Sequence, residues 1–445
     1  MTLRDRPVLY RFCAEELAAA LHNALFQRFI EALTRGSRPI EMHSDDPKRF
    51  INDMLAWVHQ ALASERELLE NLFGDDNSGD LGGVGVSEAG EIPSSAHPVT
   101  RDEKMQNESV VSVEELLDSV FQSVCRPLKV RIEQVLIASP TVLLCFELSQ
   151  LLAFYLETIG GLAGQRCQIV AVLRGCKEMA SRTFQELLRA RCDKLLRNAP
   201  VVPQDLSAPQ QVMEIVVQLG EVAAAHGSST TASPDESSLS DVVSSTVDLL
   251  VEVCEQTSEA LSPDAPTRVD EAASMDPAVQ RSFLVNCMDA IHGCLADHPA
   301  ARGRAAGLAN AIEGHLEALA TAGVANVLAR CGMAEIVSRV AEYDAAEPGS
   351  RKMASDPALG LSRVSSAMRA FFLDVSRPEA LPEFREVLAP RLRTGAAGRV
   401  AAALAEAYEE VYSAVGRAEN GYGPEGGVER IRHTPAQVRT ILCVS

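Results

Sequence analysis

Apolar residues recur along this chain at intervals of three and four positions, the spacing of one face of an α-helix. One such stripe runs from Pro47 to Leu72, and Gly74 follows it. A second stripe runs from Pro140 to Ile159 and ends at a pair of glycines. Both stripes predict helices of 20 or more residues, which is longer than the average of about 12 in globular proteins.

Five dipeptides join an N-cap residue to a proline, a combination typical of helix starts. The cap side chain accepts a hydrogen bond from a first-turn amide, and proline at the first helical position lacks only a donor that would be unpaired. The pairs are Asp46-Pro47, Ser139-Pro140, Asp276-Pro277, Asp356-Pro357 and Thr434-Pro435. We predict that a helix begins at each of them.

The same periodicity predicts helices over most of the remaining chain. Pro127 lies inside one of them and should kink or break it, because proline removes a hydrogen bond from the helix interior. Aromatic residues make up only 4% of the chain, and the alternation typical of strands is nearly absent. The further predicted helices span 9–34, 109–138, 164–197, 208–226, 238–261, 300–345, 358–375 and 379–417.

These elements predict an all-α protein of consecutive antiparallel helical bundles stacked into an elongated rod. We divide it into a helical segment at 1–72, an acidic disordered insert at 73–108 and a helical bundle at 109–261. A linker at 262–275 then leads to a C-terminal helical bundle at 276–445. No fixed repeat period is evident, so a regular solenoid is not predicted.

The net charge of the chain disfavours two classes of binding partner. The chain has 41 Lys and Arg against 61 Asp and Glu, a net charge of −20. Residues 73–108, which are rich in Gly, Ser and acidic residues, account for −6 of this balance, and residues 226–276 account for −10. A nucleic-acid-binding protein needs a basic face, so that class is not predicted. A surface held broadly to anionic lipid is disfavoured for the same reason.

The eleven cysteines contain no C-x-x-C pair and mostly stand among Leu, Val and Ala. They indicate buried free thiols in a reducing compartment rather than a disulfide framework. The N-terminus has no secretory signal pattern. The longest apolar stretch contains Glu147, Ser149 and Gln150, whereas a spanning helix needs about 20 mostly apolar residues. We therefore expect a cytosolic protein.

Two clusters resemble metal sites but predict none. Asp75, Asp76 and Asp80 form the D-D-x-x-x-D pattern with which all-helical prenyl-transferring enzymes hold magnesium, yet they stand in the Gly-rich insert. Cys287 and Cys294 share a helical face with His298. The two cysteines are about 10 Å apart along the helix, too far for one zinc ion with bonds of about 2.0–2.3 Å.

No other motif indicates catalysis, and no cofactor is predicted. A G-x-S-x-G elbow, an H-E-x-x-H pair and a Walker A loop are all missing from the sequence. Trp57 is interpreted as a packing residue. Arg126, Lys129 and Arg131 flank Pro127, and two interpretations of them stay open. They form either a solvated, salt-bridged helix corner or a binding site for an acidic partner helix.

Five segments carry a resemblance to a known family. Residues 38–72 read RPIEMHSDDPKRFINDMLAWVHQALASERELLENL, and residues 124–138 read VCRPLKVRIEQVLIA. The others are RPVLYRF at 6–12, EAYEEVYSAVG at 406–416 and HTPAQVRTIL at 433–442. The chain closely resembles the sixth subunit of the conserved oligomeric Golgi complex, a vesicle-tethering assembly, in its C-terminal portion without the family's N-terminal coiled-coil region.

The resemblance implies a helical rod without enzymatic activity that acts in intra-Golgi retrograde vesicle transport. It implies other subunits of the complex and Golgi SNARE proteins as partners, with Rab GTPases as further candidates. It places the protein in the cytoplasm, peripherally on the Golgi membrane and held there through partners. Two alternatives remain: an unrelated all-helical adaptor or scaffold, and an all-helical magnesium-dependent enzyme.

Overall fold

A computed structural model describes most of the chain. Its secondary structure contains helices and turns, and no strand occurs in the described part. The predicted all-α class is therefore confirmed. The described residues are 6–36, 38–73, 112–138, 140–228, 236–259, 261, 277–345, 352–377, 380–423 and 427–444.

The α-helices follow one another with short connections and occasional 3₁₀ turns. In chain order they are α1 Pro7–Thr34, α2 Pro47–Phe73, α3 Val113–Ile137, α4 Val142–Ala163, α5 Gln168–Arg197, α6 Gln210–Ser228, α7 Glu236–Glu259, α8 Pro277–Leu295, α9 Arg302–Arg330, α10 Ala334–Ala345, α11 Leu361–Val375, α12 Pro390–Gly416 and α13 Pro435–Ile441.

The chain divides into two compact units. Unit 1 comprises Met1–Arg189 and Ser228–Pro234, and unit 2 comprises Ala190–Gly227 and Asp235–Ser445. The segment boundaries predicted from sequence lie within or directly beside stretches outside the described residues, so the five-part division stays a prediction. The same holds for the character of the acidic insert and of the linker.

The predicted helix starts at Pro47 and Pro435 are confirmed, with the expected caps. Asp46 Oδ1 accepts from the Arg49 amide at 3.1 Å. Thr434 and Gln437 form a capping box, in which each side chain bonds the other residue's backbone amide. α8 begins at Pro277 as predicted, whereas Asp276 lies outside the described residues.

The other two predicted starts need correction. α4 begins at Val142, and its cap is Thr141, whose hydroxyl accepts from the Leu144 amide at 3.1 Å. Pro140 therefore precedes the cap instead of following it. Asp356 does cap its own first turn, but that turn is a three-residue 3₁₀ helix and α11 starts only at Leu361.

Three helix interiors also differ from the prediction. α3 continues through Pro127, so a break there is wrong; the flanking Val124, Cys125 and Leu128 are buried and hold both sides in one helix. The span 300–345 is two helices, because Gly332 adopts φ +70 and ends α9. The span 379–417 becomes helical only at Pro390.

Unit 1 is held together by contacts between its first helices. The rings of Phe29 and Trp57 lie 5.2 Å apart, as expected if Trp57 is a packing residue. Asp118 of α3 caps the start of α5, because its Oδ1 accepts from the Gln168 amide at 2.6 Å and from the Cys167 thiol at 3.0 Å. This carboxylate fixes where α5 begins relative to α3.

α4 is long and apolar enough, by length and composition alone, to cross a membrane. The sequence did not predict this, and buried core helices of soluble proteins pass the same test. Two polar side chains of α4 bind residues of α2 within unit 1. Glu147 pairs with Lys48 at 2.7 Å, and the Tyr155 hydroxyl donates to Asn52 at 3.2 Å. These contacts are those of a packed core helix.

Unit 2 contains a buried amide that joins distant loops. The Asn286 side chain of α8 donates to the carbonyls of Leu206 and Glu386 at 2.9 and 2.8 Å. It also accepts from the Leu388 amide at 2.9 Å. The two loops it reaches contain non-glycine residues at positive φ, Leu206 and Phe384. The clamp thus holds backbone conformations that L-residues seldom adopt.

Candidate partner-binding surface

The three cations singled out in the sequence all lie on α3, but on two sides of it. Successive residues are rotated by about 100° around a helix. Arg126 and Lys129 are therefore about 60° apart, whereas Arg131 lies about 140° from Arg126. The structure brings Arg126 and Lys129 together on the outward side and separates Arg131 from them.

Arg126 and Lys129 differ in whether an acidic side chain already neutralises their charge. Lys129 Nζ is 3.7 Å from Glu133 Oε1, one turn along the same helix, and the lysine is exposed. Arg126 is also exposed, and no ion pair involves it among the residues that the structure describes. Arg126 therefore carries the charge most available to an acidic partner on this side of α3.

Arg131 points to the connection between α1 and α2. Its guanidinium donates to the carboxylate of Glu41, which lies in the short 3₁₀ helix Ile40–His43. A weaker contact joins it to Gln134 at 3.4 Å. The ion pair links residues 90 positions apart and fixes α3 against the start of α2. Arg131 thus has a structural partner, which spacing along the sequence could not reveal.

A groove beside Arg131 was missed by sequence reasoning. Its volume is about 630 Å³. Met42 and Ile137, close in sequence to lining residues, are 69% and 78% exposed. The sequence signal for this groove is that Met42 and Ile137 are apolar, whereas surface positions are usually polar. The lining residues are Glu41, Ser44, Pro47, Phe50, Arg131, Gln134, Val135, Ala138, Pro140, Thr141 and Leu144.

Three buried thiols, on α3 and beside it, are held in their protonated form. Burial raises the pKa of Cys125 to about 11, and the nearby Asp118 carboxylate adds to the effect. Burial likewise raises the pKa of Cys167 to about 12, with Asp118 contributing again. Cys176 is raised to about 11, mainly by burial. A thiol needs a lowered pKa to act as a nucleophile, so these side chains are packing residues.

The structure describes one of the two candidate metal clusters, that of Cys287, Cys294 and His298. Within the described residues, no group of three or more His, Cys, Asp or Glu could hold a metal ion. Cys287 is fully buried, and α8 ends at Leu295, before His298. The burial of Cys287 is what the core interpretation predicted. Asp75, Asp76 and Asp80 lie outside the described residues.

Solved structures with a similar fold define the fold class of this protein. The chain is similar to Exo70 from S. cerevisiae, with a TM-score of 0.55 and 13% identity over 98% of this chain and 76% of that one. A second structure, whose description concerns exocyst subunit Exo70p and the Exo84p C-terminal domains, gives a TM-score of 0.53. The protein therefore has the helical fold of an exocyst subunit.

Sequence comparison identifies the family within that class. Residues 1–442 match the family described as conserved oligomeric Golgi complex subunit 6, C-terminal. Relatives of that name are 36% identical in Arabidopsis thaliana and 32% identical in Homo sapiens, each over 99% of this chain. The chain belongs to the conserved oligomeric Golgi complex subunit 6 family. It spans 66% and 61% of the length of these two relatives.

Proposed function

We propose that this chain is the C-terminal helical part of a Golgi vesicle-tethering subunit that acts in intra-Golgi retrograde transport. The observation that carries the proposal is the family match over residues 1–442, together with two relatives at 36% and 32% identity. Its role would be to bind other proteins through helical surfaces. A fold shared with exocyst subunits supports this, because that class is also all-helical.

The partners we propose are the other subunits of the conserved oligomeric Golgi complex and Golgi SNARE proteins. Rab GTPases are further candidates. Partner helices can pack against exposed faces of helical bundles, as in other helix-recognition modes. The protein would then lie on the cytoplasmic side of the Golgi membrane, attached peripherally through its partners. The net charge of −20 supports attachment through partners rather than through anionic lipid.

We also propose that the chain has no enzymatic activity. Catalysis needs a nucleophile or base whose pKa suits proton transfer, held near a site for substrate. The thiols of Cys125, Cys167 and Cys176 are buried and have raised pKa values. An unrelated helical scaffold and a magnesium-dependent enzyme remain the alternatives. Magnesium-dependent protection of residues 73–85 from proteolysis would favour the enzyme.

For the binding surface we propose the cationic corner Arg126, Lys129 and Arg131, with Arg126 and Lys129 as its outward part. SNARE helices are commonly acidic, so they complement these charges. Because Arg131 already pairs with Glu41, reversing it would also disturb unit 1. The sharper variant is therefore Arg126→Glu with Lys129→Glu. The matched control is Arg174→Glu, at an exposed cation of the neighbouring helix α5.

Affinity purification from cells tests both levels of the proposal. The chain should co-purify with subunits of the tethering complex. The double reversal should weaken recovery of one partner, and the loss should be larger at low salt, as for exposed charges. Unchanged recovery of every partner would discard the corner and keep the family role. Failure to recover any tethering subunit, even with the N-terminal region of a relative restored, would contradict the role itself.

A further inference from the structure

The outward side of α3 carries two exposed apolar side chains in line with Arg126. Val130 is 40% exposed and Ile137 is 78% exposed. At about 100° per residue, Val130 lies about 40° and Ile137 about 20° from the direction of Arg126 around the helix axis. The three side chains therefore form one stripe, about 17 Å long at about 1.5 Å per residue. We call these three residues the α3 stripe.

The stripe lies between the two helices that border α3. Ser123, about 60° to one side of Arg126, donates from its hydroxyl to the His22 carbonyl of α1 at 3.2 Å. Asp118, about 80° to the other side, caps the start of α5 through the Gln168 amide at 2.6 Å. The sector of α3 between these two contacts faces outward, and a further helix can pack along it.

The far end of the stripe adjoins the groove of about 630 Å³. Gln134 and Ala138, three residues before and one residue after Ile137, both line that groove. Its two charged lining residues, Glu41 and Arg131, already pair with each other. The groove therefore suits an uncharged, apolar side chain at the end of a helix that lies on the stripe.

Charge on the same side of α3 favours an acidic partner. Residues 122–137 contain four charged side chains. Lys129 pairs with Glu133 at 3.7 Å, and Arg131 pairs with Glu41. Within the described part of the chain, Arg126 is the member of this set that has no ion pair. A partner that places a carboxylate against Arg126 gains an ion pair without breaking another.

We propose that the α3 stripe binds one amphipathic, acidic helix of a partner protein. Val130 and Ile137 are about 10 Å apart along α3, so the partner helix carries two apolar residues seven positions apart. Its acidic residue lies four positions outside the apolar pair, level with Arg126. Helix-in-groove recognition uses apolar anchors at such spacings. The inference rests on the binding role proposed for the cationic corner, and it adds the apolar contacts and the spacing of the partner.

A photo-crosslinker at the exposed end of the stripe identifies the occupant. Ile137→p-benzoylphenylalanine is introduced into the full 445-residue chain, the expressing cells are illuminated, and the crosslinked peptides are sequenced by mass spectrometry. The matched control is Val217→p-benzoylphenylalanine, at an exposed apolar residue of α6. The Ile137 variant should capture a segment with an acidic residue, three residues, an apolar residue, six residues and a second apolar residue, in either direction. The Val217 variant should not capture that segment.

The captured segment, made as a synthetic peptide, then shows which side chains hold it. Its binding to the purified chain is measured by fluorescence anisotropy. Val130→Gln combined with Ile137→Gln should weaken binding by about tenfold or more at both low and high salt, because the lost contacts are apolar. Arg126→Gln should weaken it mainly at low salt. Val217→Gln should leave the affinity unchanged, and circular dichroism should show unchanged helix content for all these variants, since their side chains are exposed.

Three results would overturn the inference. The first is capture at Ile137 of a segment without this spacing, and the second is capture of another copy of this chain. The third is recovery of tethering subunits without any crosslink at Ile137, which would leave the proposed function standing and remove the stripe as a docking surface. Capture of the expected segment without any tethering subunit would instead support the stripe and contradict the tethering role.

Discussion

Arg28 and Glu65 form an ion pair of 2.8 Å between α1 and α2 in which only the arginine is exposed. The carboxylate is buried among the apolar residues of unit 1. Such a pair is asymmetric, because removal of the exposed cation leaves a buried charge without compensation, whereas removal of the acid leaves the arginine in water.

Arg28→Met should therefore destabilise the protein by about 2–4 kcal/mol at pH 7, measured by urea unfolding. Combined with Glu65→Gln, the same substitution should cost about 1 kcal/mol or less, since no charge is then stranded. Equal losses in both backgrounds would show that the contact is only packing. Arg11→Met serves as the control, because Arg11 pairs with an exposed glutamate on its own helix.

Asn286→Ala should lower the free energy of unfolding by about 2–4 kcal/mol. The substitution leaves the Leu206 and Glu386 carbonyls and the Leu388 amide without their buried partner. Hydrogen exchange should quicken in both loops together. Asn198→Ala is the matched control, because Asn198 is exposed and bonds only its own helix end at 3.5 Å. Exchange that rises in one loop alone would contradict the clamp.

Two helix caps give smaller, separable effects. Asp46→Ala and Thr434→Ala should each cost about 1 kcal/mol, because each removes an acceptor for a first-turn amide. Thr440→Ala, at an exposed position within α13, should cost less. Thermal melting of the three variants checks this. A Thr434 variant as stable as the parent would show that the capping box makes no net contribution.

The buried thiols predict loss of stability in alkali. The pKa values of Cys125 and Cys176 are raised from 9.0 to about 11 in the folded chain. The unfolded chain therefore releases these protons first. The stabilisation is present below about pH 9 and is lost as the pH rises towards 11. Urea unfolding at pH 8 and pH 10 should show the drop, and it should be smaller in a Cys125→Ala, Cys176→Ala variant.

Local sequence signals predicted most of the helices, but they misplaced some helix starts and a break at Pro127. The apolar stripe and the Asp46-Pro47 pair predicted α2 from Pro47 to within a residue of its observed end at Phe73. Ser139-Pro140 misled, because Thr141 offers a cap after the proline and the helix starts there instead. Pro127 did not break α3, since burial on both sides outweighed the lost hydrogen bond.

The candidate surface was less predictable than the fold, because spacing along the sequence does not show which distant residue a side chain will contact. Arg126, Lys129 and Arg131 fall within six residues, yet helix rotation separates the third from the first two. Its partner, Glu41, is 90 positions away. Leu72 belongs to the apolar stripe that begins at Pro47, which predicts burial, yet it is 48% exposed at the end of α2.

The hydrogen bonds of Asn286 also limit when unit 2 can fold during translation. Leu206 and Leu388, which it joins to one side chain, are separated by about 180 residues. At about 5–20 residues per second, the Leu206 loop leaves the ribosome roughly 10–40 seconds before its distant counterpart exists. During that interval the positive-φ backbone at Leu206 lacks the full set of hydrogen bonds around Asn286. The second unit can therefore finish folding only after Leu388 has been synthesised.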